Sequence, residues 1–244
     1  MAEFSMKIAG RVGRVTTQFD STQSYCRNYL TEDPPDFSAT VTAEDRTFEQ
    51  EASWEEARIE GFRPRRYTDP HLERAALQRV FAENLFRFDT LLFHGSLVAV
   101  DGKGYLFTAK SGTGKSTHTR LWREVLGERA SMVNDDKPFL HIRDGVVTAY
   151  GTPWNGKHRL GANISMPLKA VCILERGVEN CIQAITAQEA LPMVFQQSHR
   201  PGDPRRLGKY LELVDGLARS VAFYRLHCNM DPQAAMVAYE GMNR

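Results

Sequence analysis

The chain has 244 residues, a formal net charge of +1, 42% hydrophobic residues and 25% charged residues. These proportions are ordinary for a globular protein, and the balanced charge argues against a nucleic-acid or membrane binder that works through bulk electrostatics. No apolar run is long enough to cross a bilayer, and the N-terminus lacks the apolar segment of a secretory signal. The four cysteines show neither C-x-x-C nor zinc-ligand spacing, so we expect reduced thiols in a cytoplasmic protein.

The first 70 residues are the least regular, and we predict a small N-terminal α+β subdomain over 1–70. Strands are predicted at 6–15 and 37–42, with a short helix between them at 25–30. The acidic segment 49–60 is interpreted as a helix or a solvated loop. The role of this subdomain stays open between a lid and an acceptor-binding surface.

Residues 71–244 form the second predicted domain, which follows a helix start at Asp69-Pro70. The aspartate can cap the helix, and proline suits its first turn. Strands and hairpins intermix with helices along the rest of the domain, which indicates an α/β fold with a mixed sheet. The predicted strands cover 90–100, 105–108, 131–133, 139–142, 146–150, 168–174 and 221–226, and the predicted helices cover 117–126, 187–197 and 205–220, with a last one from 231.

The strongest chemical signal is the run from Ala109 to Thr117, between a predicted strand and a predicted helix. It matches the P-loop pattern G-x-x-x-x-G-K-[ST] except that alanine replaces the first glycine. Small residues allow successive backbone N–H groups to surround a phosphate, and a helix N-terminus favours the same anion. A glycine-rich loop without a ligand is the alternative, but the strand–loop–helix context favours a nucleotide site. The predicted binding residues are Ser111, Gly112, Thr113, Gly114, Lys115, Ser116 and Thr117.

Within this loop, two side chains have predicted individual roles. Lys115 is expected to reach the β- and γ-phosphates of ATP, and the Ser116 hydroxyl is expected to hold Mg²⁺.

Two adjacent carboxylates, Asp135 and Asp136, follow the next predicted strand. One would bind the metal while the other accepts a proton from an incoming hydroxyl, and the residues alone leave open which does which. A plain turn is the alternative interpretation of Asn-Asp-Asp-Lys-Pro.

Two further features are candidates for the same site. His94 lies one hairpin before the P-loop, where it is expected to orient a phosphate or an acceptor, although a histidine in an apolar strand is more often a core residue. The loop from Gly151 to Arg159 follows a strand and is rich in glycine and basic residues. Lys157 and Arg159 are candidates to hold the transferred phosphate or an acidic acceptor, with a solvated basic loop as an equal alternative.

The order of these features resembles that of the HPr kinase/phosphorylase family. Histidine-glycine, hairpin, P-loop, helix and Asp-Asp follow one another in that family, and the last three also resemble the kinase motifs of phosphoenolpyruvate carboxykinase. The resemblance is good over 91–136, weaker to 174, and does not extend to the first 70 residues. It implies a mixed β-sheet P-loop kinase core of the HPr kinase/phosphoenolpyruvate carboxykinase type.

The resemblance also implies roles for single residues. One of the paired aspartates is the general base on a protein serine in that family, and we assign this role to Asp135 and metal binding to Asp136. His94 corresponds to the family histidine, and Lys115 to the P-loop lysine. Thr117 stands where the family often has an acidic residue, so the phosphorylase half-reaction is not carried over. The chain has no room for the organic-acid domain of a carboxykinase.

The resulting expectation is an ATP- and Mg²⁺-dependent kinase whose acceptor is a serine-type hydroxyl of a protein, a peptide or a small molecule. Lys115, Mg²⁺ and Arg159 are expected to neutralise the γ-phosphoryl group. A nucleotide-sensing regulatory protein and a small ATPase acting on a partner are the alternatives, with a carboxykinase more distant. The sequence does not specify the acceptor, the choice between ATP and GTP, or the oligomeric state, although the family forms homo-oligomers.

Overall fold

The structure, a computed structural model, describes residues 1–156 and 158–244, with Glu60 described by its backbone alone. Within them the chain divides into two units, Met1–Leu85 and Phe86–Arg244. The helix that starts at Asp69 belongs to the first unit. The boundary between the two units therefore lies after Leu85, whereas the sequence placed the boundary after residue 70.

The first unit contains three strands and three α-helices in the described residues. The strands are β1 (Ala2–Ile8), β2 (Arg11–Thr17) and β3 (Phe37–Thr40), and the helices are α1 (Asp20–Tyr25), α2 (Ala43–Glu60) and α3 (Asp69–Leu85). β2 lies between antiparallel β1 and parallel β3. The single strand predicted at 6–15 is wrong, because Ala9 and Gly10 adopt positive φ angles of 51° and 73° and reverse the chain there.

A buried carboxylate links α3 to the start of α1. The Glu73 side chain is fully buried and accepts hydrogen bonds from the N–H groups of Gln18 (2.7 Å) and Phe19 (3.2 Å) and from the Thr22 hydroxyl. A helix leaves its first N–H groups without partners inside the helix, and α1 has no side-chain cap of its own, so the Glu73 carboxylate binds the N–H of Phe19, the residue before the helix, instead. The helix predicted to start at Asp69-Pro70 is confirmed as α3.

The second unit contains nine strands and four helices in the described residues. The helices are α4 (Lys115–Leu126), α5 (Ala187–Gln197), α6 (Leu207–Ser220) and α7 (Gln233–Gly241). The strands are β4 (Thr90–Leu92), β5 (Ser96–Val100), β6 (Lys103–Thr108), β7 (Ala130–Asn134), β8 (Phe139–Arg143), β9 (Val146–Tyr150), β10 (Ser165–Arg176), β11 (Cys181–Ile185) and β12 (Ala222–Cys228).

These strands form a mixed sheet in the order β4-β8-β9-β10-β6-β5-β7, with β12 and then β11 added beside β10. β6 and β12 run parallel to β10, whereas the other described pairs are antiparallel. The predicted α/β class with a mixed sheet is therefore confirmed. The carboxyl ends of β6 and β10 meet at one edge, which is where parallel sheets commonly bind ligands.

Helices cover both faces of this sheet. Val194 of α5 and Leu213 and Leu217 of α6 pack in one apolar cluster, whereas Trp122 of α4 and Ala235 of α7 pack in the other. Burial on both faces explains why the central strands are almost continuously apolar. Among the helices in the described part of the chain, none combines the length and apolar character that a bilayer crossing requires.

Two predictions in this unit are corrected. The strand predicted at 90–100 is broken at Phe93–Gly95, because the backbone there turns to other partners: His94 N–H donates to Gln197 O (2.7 Å) and Gly95 N–H to Asp136 O (2.9 Å). Strand β11 was not predicted; its side chains are mostly exposed or half-buried, so it lacks a hydrophobic pattern. The break places His94 beside the residues that follow β7.

Candidate active site

The loop predicted as a P-loop joins the end of β6 to the start of α4. Gly114 precedes the first helical residue with a φ of 123°, and Gly112 has a φ of 73°. Side chains other than glycine rarely adopt such angles, so the loop depends on these two residues. Ala109, which replaces the first glycine of the pattern, is fully buried and does not have a positive φ. Alanine is therefore compatible with the loop at this position.

Three hydrogen bonds hold the loop. Thr113 N–H donates to Lys110 O (3.2 Å), and the Lys115 ammonium donates to Ala109 O (3.4 Å). Arg176, at the end of β10, donates from Nη2 to Gly112 O (2.6 Å). Arg176 was not among the residues predicted from the sequence, because its proximity to Gly112 depends on the parallel pairing of β10 with β6.

A cleft of about 420 Å³ runs along one face of α4, and we call it the α4 cleft. It brings together the three residues assigned to phosphate, metal and proton transfer, namely Lys115, Ser116 and Asp135. Its remaining lining comes from the P-loop, from α4 and from the segments around β7 and residue 160: Gly112, Gly114, Thr117, Thr119, Arg120, Arg123, Met132, His158 and Leu160.

A second cleft of about 510 Å³ lies at the end of β10, and we call it the β10 cleft. It shares Gly112, Gly114 and Thr117 with the α4 cleft, so the two meet at the P-loop. Its lining includes the apolar side chains of Leu174 and Met230 together with Arg176. The P-loop thus lies between two clefts that both contain charged and apolar side chains.

Asn134 shapes the turn that carries the paired aspartates. Its side chain is fully buried, and its Oδ1 accepts from the N–H groups of Asp136 (2.9 Å) and Lys137 (2.6 Å). Its Nδ2 donates to the Thr152 hydroxyl (2.9 Å). This use of an asparagine side chain is typical of turns and was a signal available in the sequence. The hydrogen bonds fix where the chain leaves β7 and therefore where both carboxylates stand.

Asp135 is buried at the edge of the α4 cleft. Its Oδ1 accepts the Gly156 N–H at 2.6 Å, and a Cβ on Gly156 would stand 3.1 Å from Oδ2. Burial raises the pKa of the Asp135 carboxyl above its usual value, and the charge of Asp136 adds to this, while the Gly156 N–H opposes it. A carboxylate with a raised pKa is better matched to accepting a proton near neutral pH.

His94 and Asp136 form a pair behind Asp135. His94 Nε2 lies 3.3 Å from Asp136 Oδ1. Burial lowers the pKa of His94, so the neutral ring donates to the carboxylate. Burial alone would raise the pKa of Asp136, but the hydrogen bond from His94 and the positive charges of Lys137 and Lys115 lower it below its usual value. The paired aspartates therefore differ: Asp136 is held anionic, and Asp135 is closer to protonation.

The loop after β9 reaches this site only in part. His158 and Leu160 line the α4 cleft, whereas Arg159 is exposed and is not among the described residues that line it. Arg159 also has a φ of 49°, an uncommon value for a side-chain-bearing residue. Lys157, the other basic candidate of this loop, lies outside the described residues.

The donors near Lys115 suit a magnesium ion that is bound together with a nucleotide. Mg²⁺ prefers oxygen ligands and commonly takes only one or two carboxylates beside phosphate oxygens and water. Ser116 supplies a hydroxyl in the α4 cleft, whereas Asp136, which is bonded to His94, is not among the described residues that line this cleft, although its carboxylate feels the charge of Lys115. No cluster of three or more His, Cys, Asp or Glu side chains that could hold a metal occurs in the part of the chain described.

His118, one turn into α4, anchors the P-loop helix in the core. It is 3% exposed, and its Nε2 accepts the Trp122 indole N–H at 3.0 Å. If His118 were also protonated at Nε2, this proton would point at the Trp122 N–H donor. Burial lowers the pKa of His118 from 6.5 to about 4. The folded chain therefore carries this histidine neutral at a pH where the unfolded chain protonates it.

We expect acid to destabilise the second unit through His118. Between its unfolded pKa of 6.5 and its folded pKa of about 4, the unfolded state binds more protons. Stability should therefore fall as the pH drops through this window, by about 2–3 kcal/mol near pH 4.5. Urea unfolding with a tryptophan-fluorescence readout measures this loss without nucleotide or Mg²⁺. In His118→Gln, which keeps an acceptor for Trp122, the pH dependence should shrink; an unchanged slope would assign the effect to other groups.

No family model matches the chain, and no curated protein matches it. Among solved structures, the chain is similar to the Hpr(Ser) kinase/phosphatase from Coxiella burnetii, with 10% sequence identity and a TM-score of 0.35. The likeness covers 61% of this chain and 94% of that chain. It is a distant likeness, and none of the residue assignments depends on it.

Proposed function

We propose that the chain is an ATP- and Mg²⁺-dependent kinase that transfers the γ-phosphoryl group to a serine-type hydroxyl. The observation that carries this proposal is the α4 cleft, in which a P-loop lysine and serine line the same cavity as a buried carboxylate, Asp135. A P-loop serves many nucleotide-binding proteins, but phosphoryl transfer to a hydroxyl also uses a group that takes the proton.

The two clefts suggest how ATP would lie across the P-loop. Its phosphates would be held by the backbone N–H groups of the loop, with the γ-phosphate toward Lys115 in the α4 cleft. The base would then extend to the other side, into the β10 cleft, whose wall includes Leu174 and Met230. Apolar side chains suit the faces of a base. Mg²⁺, when bound, would neutralise phosphate charge, and Ser116 and Asp136 are its proposed ligands.

The proposed reaction needs a group that accepts the hydroxyl proton, and it needs the attacking and leaving oxygens in line with the γ-phosphorus. The acceptor oxygen attacks the γ-phosphorus, a new P–O bond forms, and the bond to the bridging oxygen of ADP breaks. Asp135 takes the hydroxyl proton, and its raised pKa favours this role. Lys115 stabilises the charge on the transferred group, so catalysis is mostly positioning and electrostatics. His94 is proposed as a positioning residue that orients Asp136.

The test is to incubate the purified chain with Mg²⁺ and γ-labelled ATP, with free serine, serine-containing peptides or an HPr-like protein as acceptor. Label on an acceptor supports the kinase. Steady phosphate release that no acceptor captures points instead to an ATPase that acts on a partner. Tight ATP binding with neither product points to a nucleotide sensor, and no ATP binding removes all three.

A further inference from the structure

The far end of the α4 cleft is basic. Ser116, Arg120 and Arg123 lie at helical spacings of four and three residues, and all three line the cleft. With a rise of 1.5 Å per residue, the Cα of Arg123 stands about 10 Å farther along the helix axis than that of Ser116. Helical side chains lean toward the helix N-terminus, so both arginines lean toward the P-loop end.

Basic side chains outnumber acidic ones along the α4 cleft. Lys115, Arg120 and Arg123 bring positive charge, while Asp135 is the one acidic residue among the described residues that line the cleft. Arg120 is already paired with Glu124 on the exposed side of the helix (2.6 Å). The Nε of Arg123 is buried and makes no hydrogen bond within the described residues. A buried donor without a partner is costly, and the half-buried Arg123 side chain, which also lines the cleft, can offer its other N–H donors to an anion there.

The position of Arg123 argues against the γ-phosphate as that anion. The P-loop and Lys115 already supply the phosphate contacts at the start of α4, two turns away from Arg123. The lining of the cleft also includes Met132 and Leu160, whose apolar side chains suit the carbon skeleton of a ligand. A guanidinium matches the two oxygens of a carboxylate in a bidentate geometry.

We propose that Arg123, supported by Arg120, binds a carboxylate of the phosphoryl acceptor, so that the substrate class is anionic hydroxyl compounds. This inference rests on the proposed kinase function. The carboxylate would anchor the acceptor at the far end of the cleft while its hydroxyl reaches Asp135. From the sequence, Lys157 and Arg159 were candidates to hold the transferred phosphate or an acidic acceptor, with a solvated loop as an equal alternative. Lys157 lies outside the described residues and Arg159 does not line the cleft, whereas α4 supplies two arginines.

The experiment uses the chain loaded with Mg²⁺ and a non-hydrolysable ATP analogue, and titrates it with glycerate or glycerol in a calorimeter. The two probes share a skeleton and hydroxyl groups but differ in the carboxylate. Glycerate should bind and glycerol should not. Arg123→Gln should weaken glycerate binding by about 10- to 100-fold, as expected for a lost charge-assisted hydrogen bond. Arg219→Gln, an exposed arginine on α6, is the matched control and should change nothing.

Each other outcome is decisive. Equal binding of glycerate and glycerol, or unchanged glycerate binding in both Arg123→Gln and Arg120→Gln, overturns the carboxylate site. Tighter binding of glycerol 3-phosphate than of glycerate assigns the anion to a phosphate and overturns the carboxylate. If a folded Arg123→Gln variant no longer binds the ATP analogue, Arg123 contacts the nucleotide, and the carboxylate site is overturned. If the analogue does not bind the unmutated chain, the kinase proposal itself fails, which the first titration separates from the other results.

Discussion

Replacing Asp135 by asparagine is expected to lower phosphoryl transfer by about 10²- to 10⁴-fold, the usual contribution of a general base. The substitution removes the proton acceptor but keeps an amide oxygen that can accept the Gly156 N–H, so the loop after β9 should stay in place. Affinity for the ATP analogue should therefore change little. Single-turnover transfer of labelled phosphate and equilibrium titration of the analogue measure the two effects separately.

Asp136→Asn is the matched control for this prediction, because it removes the neighbouring carboxylate by the same chemical change. Asp136 is held by His94 and kept anionic, so its loss should raise the Mg²⁺ concentration needed for half-maximal transfer. Asp135→Asn should not alter that concentration. If Asp135→Asn keeps normal transfer while Asp136→Asn abolishes it at saturating Mg²⁺, the roles of the two carboxylates are reversed.

The fold was largely predictable where the signals are local. The hairpin of β8 and β9 flanks an Asp-Gly turn, and α5 was predicted with the boundaries that it has. Predictions failed where side-chain patterns are ambiguous or weak. The run at 90–100 is mostly apolar, and its polar interruption at His94-Gly95-Ser96 does not by itself reveal that the backbone of 93–95 bonds to other segments. β11 has no alternation of buried and exposed side chains, so its strand depends on pairing with β12.

The same distinction between local and distant signals applies to the candidate site. The P-loop is a contiguous motif whose glycines require special backbone angles, so the sequence alone predicts it. The turn bonds of Asn134 to the N–H groups of Asp136 and Lys137 are local and could have been predicted, but its bond to Thr152 could not. Arg176 was missed because its partner, Gly112, lies far along the chain. Arg123 lies within a predicted helix, but its face toward the cleft is defined only once β7 and the segment near residue 160 pack beside α4.

Lys115→Ala is expected to have the largest effect on nucleotide binding. In the structure the lysine ammonium is folded onto the loop, with Nζ 3.4 Å from Ala109 O. This contact is long for a hydrogen bond. Removing a charged donor from phosphate oxygens costs about 1.5–3 kcal/mol, or roughly 10- to 100-fold in affinity. Transfer should fall further, because charge on the transferred group increases in the transition state.

Lys110→Ala provides the comparison, since it removes the same charge from the same loop. Lys110 is exposed and does not line the α4 cleft, so its loss should leave ATP affinity nearly unchanged apart from a small, salt-sensitive electrostatic effect. Titration of both variants with Mg²⁺ and ATP at low and high salt separates a specific contact from general attraction. Equal weakening in the two variants would mean that the loop acts through its net charge alone. Unchanged binding in Lys115→Ala would mean that the nucleotide lies elsewhere, and the kinase proposal would fall with the P-loop.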